Sequence, residues 1–172
     1  MKQTLKIESF LILSVSLLSA CAILPFATNL HFDTIEKEIS AGTGKLYEAR
    51  EPGLMVVSRP EEVELIDGLI TDQAREKTLA LDYGDYISLA AFQGWKGSSG
   101  YSILVNRISR TGNTVNVYAQ FHEPKPEEQK LDMVTSPYHL VIVEKIGNWS
   151  EEILFNLIID ETIVASIYHT FP

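Results

Sequence analysis

Apolar and polar residues alternate with a period of two along most of the chain beyond residue 30, and this pattern predicts a mostly β domain. The clearest element is a hairpin. One long alternating run starts at Tyr101 and reaches the turn Thr111-Gly112-Asn113, and a second run returns as far as Phe121.

Shorter apolar runs predict the other strands. Residues 86–92 are apolar on both faces, so this strand is expected in the centre of a sheet. The tail at 153–171 indicates two β-branched strands that break near Asp160, with a buried helix as the alternative. Further strands are expected at 31–40, 54–57, 79–83 and 138–146.

Helical signals are confined to the stretch after 54–57. Ser58 and Glu61 form a capping-box pattern, and Pro60 suits a first helical turn, so a short helix is expected over 60–70. A second helical segment is expected around 72–78. The predicted fold class is therefore mostly β (α+β), a single antiparallel-sheet sandwich or barrel-like domain with one or two short helices.

The N-terminus has the pattern of an export signal. Lys2 and Lys6 precede an apolar run at 10–18, which is shorter than the roughly 20 residues needed to span a bilayer. The segment Leu18-Ser19-Ala20-Cys21 resembles the bacterial lipobox, in which an aliphatic residue and two small residues precede the cysteine that takes lipid. A plain signal peptide followed by an incidental cysteine is the alternative.

The lipobox divides the chain into a lipoprotein signal peptide at 1–20, a tether at 21–30 and a single domain at 31–172. Lipid on Cys21 is expected to hold the mature chain outside the cytoplasm, because two or three acyl chains anchor far more firmly than one. The anchoring membrane is the cell membrane or the outer membrane. Ala22, rather than aspartate, at the second mature position resembles an outer-membrane signal in an organism with two membranes.

Charge argues against two classes of partner, and the cysteine content excludes an intramolecular disulfide. Lys and Arg number 14 against 23 Asp and Glu, for a formal net charge of −9, and the sequence shows no basic cluster. This balance argues against nucleic-acid binding and against direct docking on anionic lipid headgroups. The single cysteine rules out an intramolecular disulfide.

No recognisable set of catalytic or metal-binding residues is found in the sequence. The four histidines lack HExxH spacing, and neither a CxxC nor a GxSxG pattern occurs. We therefore expect no metal, no cofactor and no enzyme activity. Trp95, in the glycine-rich loop at 93–100, and Tyr101 beside it are the candidate partner-binding residues. Packing of Trp95 onto its own core is the simpler interpretation of this residue.

Motifs between 54 and 145 resemble the protease complex subunit PrcB family. An apolar strand ends in Ser58, and the later motifs keep the family's order: Ala80-Leu81-Asp82-Tyr83, Gly97-Ser98-Ser99-Gly100-Tyr101-Ser102-Ile103 and Thr135-Ser136-Pro137-Tyr138-His139. Ser99 replaces the first glycine of the family's Gly-Gly-Tyr-Ser-Ile strand start, and Tyr83 stands where Phe is common.

Gly100 and Pro137 are the structural residues of these motifs. Glycine lets the backbone turn sharply into a strand, and proline is tolerated at a strand's first residue, where no donor is needed. The resemblance implies a lipoprotein that accompanies and stabilises a surface protease complex, with no catalytic role for the motif residues.

Three classes of function stay open from the sequence. The first is an anchored, non-catalytic protein-binding or accessory module whose partner is an exported protein. The family resemblance implies that this partner is a protease. The second is an envelope-associated hydrolase whose site forms only in three dimensions, and a deep pocket with two titratable groups in contact would favour it. The third is a structural envelope protein without a specific ligand.

Overall fold

The computed structural model describes residues 26–38, 46–149 and 151–171. Strands in these ranges form two sheets, which confirms the mostly β prediction and its sandwich-like alternative. The strands are β1 (Thr28–Asn29), β2 (Phe32–Glu38), β3 (Gly53–Val57), β4 (Tyr86–Phe92), β5 (Ser102–Thr111), β6 (Thr114–His122), β7 (Tyr138–Glu144), β8 (Glu152–Ile159) and β9 (Thr162–Thr170). A 3₁₀ helix (Pro60–Leu65) and helix α1 (Asp72–Leu79) join β3 to β4.

One strand pairing in the two sheets was not predicted from the sequence. Sheet A has the order β1-β5-β6-β8-β9, and sheet B has the order β2-β7-β4-β3. The described neighbours pair antiparallel except β6 and β8, which run parallel with Val117 opposite Leu157. The expectation of an antiparallel sheet is wrong at this pairing. The cause is that β7 follows β6 in the chain but pairs with β4 in sheet B, so the chain crosses back to sheet A.

The described residues cover sheet B on both faces and sheet A on one. The core between the sheets includes Val115, Phe155 and Leu157. The outer face of sheet B lies under the 3₁₀ helix, α1 and the turn between them, which bury Val63, Ile66, Ile70 and Ala74. A fully buried Val or Ile contributes about 1.5–3 kcal/mol relative to an exposed one, so this second core fixes the helices on sheet B.

The position of β4 confirms the expectation of a central strand, since it lies between β7 and β3. The C-terminal hairpin is also confirmed: β8 and β9 pair through a turn at Asp160 and Glu161, and the alternative of a buried helix is wrong. The predicted tether is too long at its end. Thr28–Asn29 already pairs with β5 and Leu30 is buried, so the folded part begins before residue 31.

The predicted strand at 79–83 is wrong. Helix α1 continues to Leu79, and the chain then turns, because the side chain of Asp82 accepts a hydrogen bond from the Gly84 amide at 2.8 Å. The Tyr83 hydroxyl donates to the carbonyl of Thr78 at 2.9 Å and ties the turn back to α1. The helix propensity of the residues before Leu79 therefore prevails over the short alternation.

Candidate functional site

The two predicted contact residues, Trp95 and Tyr101, are half-buried. The Trp95 amide donates to the carbonyl of Ala49 at 2.9 Å, and the guanidinium of Arg50 lies 5.3 Å from the centroid of the indole. The ammonium of Lys96 lies 5.4 Å from the centroid of the Tyr101 ring. Each ring is thus partly occupied by a cation from its own chain, and its role in partner binding stays a prediction.

Gly100 and Pro137 shape the backbone at the ends of strands. Gly100 has a φ of +94°, and a Cβ atom built there would lie 2.9 Å from Cβ of Pro124. Pro137 directly precedes β7, and its carbonyl accepts from the Gln93 amide at 2.9 Å. The predicted lipidation site, Cys21, lies outside the described residues.

Three side chains that the sequence did not connect meet at one corner of the sandwich: Ser58, Glu62 and His169, called here the corner cluster. Ser58 follows β3, Glu62 lies in the 3₁₀ helix and His169 lies near the end of β9. The Ser58 Oγ atom is 2.8 Å from Nε2 of His169 and 3.1 Å from Oε2 of Glu62. The cluster therefore links the end of β3, an edge strand of sheet B, to the end of β9, an edge strand of sheet A.

The corner cluster corrects the predicted capping box. Oε2 of Glu62, rather than a carboxylate oxygen of Glu61, accepts from the Ser58 amide at 2.8 Å. Arg59 donates to Oε1 of the same carboxylate at 2.6 Å. The acceptor moves by one position because Arg59, not Ser58, occupies the position flanking the 3₁₀ helix.

The corner cluster differs from a Ser-His-acid triad in the placement of its carboxylate. In a triad the acid binds the ring nitrogen opposite the serine. Here Ser58 Oγ and Glu62 Oε2 approach the same nitrogen, Nε2 of His169, at 2.8 and 3.5 Å. Burial lowers the pKa of His169, and Arg59 acts in the same direction while Glu62 opposes it. The Ser58 hydroxyl can donate to the carboxylate of Glu62. This arrangement fits a structural link between strands better than an activated nucleophile.

A shallow hollow of about 380 Å³ lies beside this cluster. Ser58 is the one member of the corner cluster that lines it, together with Tyr83, Asp85, Lys145, Trp149 and Phe171. The contacting titratable groups, Glu62 and His169, are not among its lining residues. A hydrolase would need a deep pocket that holds two titratable groups in contact. Glu62 and His169 are in contact, but they do not line a deep pocket.

Strand β9 is the most exposed long strand of the described domain. It pairs with β8 and with no other described strand, and it contains no Lys, Arg, Asp, Glu or Pro. Ile163, Ile167 and Tyr168 are 56%, 37% and 66% exposed. A long, uncharged and apolar sheet edge is a template for pairing with another chain.

A polar ladder on the outer face of sheet A holds β9 in register. Nδ2 of Asn156 donates to Oδ1 of Asn116 at 3.0 Å, and Oγ of Ser166 donates to Oδ1 of Asn156 at 2.7 Å. The ladder therefore crosses β6, β8 and β9. Because Asn156 is buried, each of these bonds also satisfies a polar group removed from water.

The part of the chain that the structure describes has neither a metal-binding cluster nor a membrane-spanning helix. It contains no group of three or more His, Cys, Asp or Glu side chains placed to hold a metal ion. None of its helices is long and apolar enough to cross a membrane.

A family model described as PrcB C-terminal matches residues 87–144. The match takes in most of β4 and all of β5, β6 and β7, and it includes Trp95, Gly100, Tyr101 and Pro137. The corner cluster and β9 lie outside it. No curated protein and no solved structure matches the chain. Residues 87–144 confirm the resemblance found in the motifs, because this segment is similar to the C-terminal domain of the PrcB family.

Proposed function

We propose that this protein is a non-catalytic, protein-binding accessory module of a protease complex. The PrcB C-terminal segment supports the link with a protease complex. The binding role rests on one observation, the outer face of sheet A, which none of the described helices or loops covers. On that face Leu104, Ile163 and Tyr168 are 42%, 56% and 66% exposed, whereas helices cover the corresponding face of sheet B. Large apolar side chains exposed on one face of a sheet are a feature of interaction sites.

The proposal includes export and a lipid anchor on Cys21. Its support is the order of features in the sequence, a basic head, an apolar run and a lipobox, with the chain's one cysteine at the position that takes lipid. An anchored module would be restricted to a thin layer at the membrane, which raises its effective concentration toward an equally restricted partner.

The test is a pull-down of the full-length protein from crosslinked cells. We expect wild type to recover an exported protein that an untagged control strain does not yield. Recovery should decrease as salt increases if the acidic chain meets a basic partner. Absence of any protein above the untagged background contradicts the binding role.

The predicted contact through Trp95 is tested in the same cells with Trp95→Ala. The matched control is Tyr86→Ala, which removes an exposed aromatic ring in sheet B, at the end of β4 away from the loop. Loss of the partner from Trp95→Ala alone places the contact at the loop. Equal recovery by both variants removes the loop from the interface and leaves the binding role intact.

A hydrolase is the second candidate, and the 2.8 Å contact between Ser58 and His169 is the observation that favours it. Purified full-length protein is assayed against peptide and ester substrates, with Ser58→Ala alongside. We expect no turnover from either form, because Ser58 is 3% exposed and its hydroxyl lies within bonding distance of Glu62. Turnover that disappears in Ser58→Ala would establish the hydrolase and refute the accessory role.

A further inference from the structure

We propose that β9 is a strand-addition site, at which an extended segment of a partner protein pairs with the free edge of sheet A. The inference rests on the proposed function, because it specifies how the partner is bound. Main-chain hydrogen bonds along an added strand supply affinity, and pockets for alternate side chains supply specificity.

The other three sheet edges are less suited to such pairing. β1 has two residues and β3 has five, largely buried residues. β2 is longer but carries Asp33, Glu36, Lys37 and Glu38, and charged side chains protect an edge against pairing. β9 combines nine residues, exposure and the absence of charge other than the potential charge of His169.

The edge of β9 is also held in place before any partner arrives. The Asn116–Asn156–Ser166 ladder fixes its middle, and the corner cluster fixes its end through His169. A partner strand therefore meets a rigid template, and less conformational entropy is lost on binding than at a mobile edge.

Charge at the ends of β9 identifies the occupant as a strand with basic ends. Asp160 and Glu161 form the turn that precedes β9, and Glu152 lies opposite Thr170 at the other end. Antiparallel pairing of β9 with a second copy would bring the Asp160–Glu161 turn of each copy toward Glu152 of the other. Like charges at both ends disfavour that dimer, and a strand with Lys or Arg at its ends is favoured.

The first experiment measures hydrogen exchange in the full-length protein purified in detergent. The probe is a synthetic peptide of alternating valine and threonine with one lysine at each end, and a peptide with glutamate ends is the charge control. We expect the lysine peptide to slow exchange of alternate β9 amides by at least about tenfold. It should also bind about fivefold more tightly than the glutamate peptide.

Substitution separates the edge strand from an inner strand. Tyr168→Lys places a charge on β9, and the matched control Tyr86→Lys makes the same change on β4, an inner strand of sheet B. Both positions are exposed, so both variants should fold, as thermal unfolding will verify. We expect about a tenfold loss of peptide binding in Tyr168→Lys and an unchanged affinity in Tyr86→Lys.

Each alternative occupant has its own outcome. A dimer in solution with protected β9 amides means that a second copy covers the edge, and a monomer with those amides already protected means that the chain covers it itself. Either result overturns the inference, as does peptide-induced protection elsewhere. In crosslinked cells, a partner retained by Tyr168→Lys overturns the inference and leaves the proposed function standing. Failure of wild type to recover any partner refutes both.

Discussion

The backbone amide of Val105 donates a hydrogen bond of 2.8 Å to Nδ1 of His139, and this bond joins the two sheets inside the domain. It forms where the register of β5 against β6 shifts, between Val105 and Arg107. Because Nδ1 accepts, the neutral ring carries its proton on Nε2, which lies 2.9 Å from Oγ1 of Thr34 and donates to it.

This histidine should make stability depend on pH. Burial lowers the pKa of His139 to about 4 from the ordinary value of 6.5, and Lys37 contributes in the same direction. Between these two pH values the unfolded chain binds a proton that the folded chain does not, so the free energy of unfolding decreases as the pH falls. The loss reaches about 3 kcal/mol at pH 4 and levels off just below it. Urea unfolding from pH 7.5 to pH 4 measures it.

The control is His139→Gln, since the glutamine amide can accept from Val105 and donate to Thr34 without titrating. This variant should lose most of that pH dependence, whereas His31→Gln, a change at an exposed position, should keep it. An identical pH profile in wild type and His139→Gln would assign the dependence to other groups.

Gly100→Val should destabilise the domain by roughly 1–3 kcal/mol. A β-branched residue is strained at a φ of +94°, and its Cβ would also meet Pro124 at 2.9 Å. Gly97→Val is the matched control, because nothing lies within 4 Å of a Cβ atom at that position. Thermal unfolding of both variants provides the comparison, and an equal melting temperature for Gly100→Val and wild type contradicts the motif interpretation.

The turn between β8 and β9 offers a stabilising substitution. Asp160 and Glu161 have φ values of +47° and +64°, a left-handed conformation that costs most residues other than glycine about 1 kcal/mol. Glu161→Gly should therefore raise the free energy of unfolding by about 1 kcal/mol and the melting temperature by roughly 2–4 °C. Glu127→Gly, in the loop after β6, should give no such gain. A lower melting temperature for Glu161→Gly would mean that its side chain stabilises the turn.

Cys21→Ala should abolish incorporation of radioactive palmitate and leave an uncleaved or mislocalised precursor, because the thiol is the atom that accepts lipid. Ala22→Ser, at the neighbouring position, should be labelled like wild type. Equal labelling of Cys21→Ala and wild type would refute the lipid anchor.

Local signals were sufficient for the elements that neighbouring residues determine. The turn at 111–113 and the alternation on either side of it predicted the β5–β6 hairpin, and the break at Asp160 separated β8 from β9. At 79–83 the same kind of alternation failed, because Asp82 and Tyr83 make local bonds that turn the chain. Short patterns of five residues do not distinguish a strand from a structured turn.

Features that depend on distant contacts were not predictable from periodicity. Ser58 and His169 are 111 positions apart, and their contact requires the edge strands of both sheets to meet at one corner. The choice of Glu62 over Glu61 depends on which residue flanks the 3₁₀ helix, and that residue is Arg59 rather than the expected Ser58. The exposure of β9 could not be predicted either, because its β-branched sequence is also typical of a buried strand.

The parallel pairing of β6 with β8 is a contact between distant parts of the chain. Asn116 and Asn156 are 40 positions apart, and β6 gains its second neighbour only when the last hairpin takes its place beside it. Until then β6 has an open side, and closing such a long loop is slow compared with forming a hairpin. In a newly made chain this open side persists from the synthesis of β6 until the arrival of β8, and it can pair wrongly during that interval.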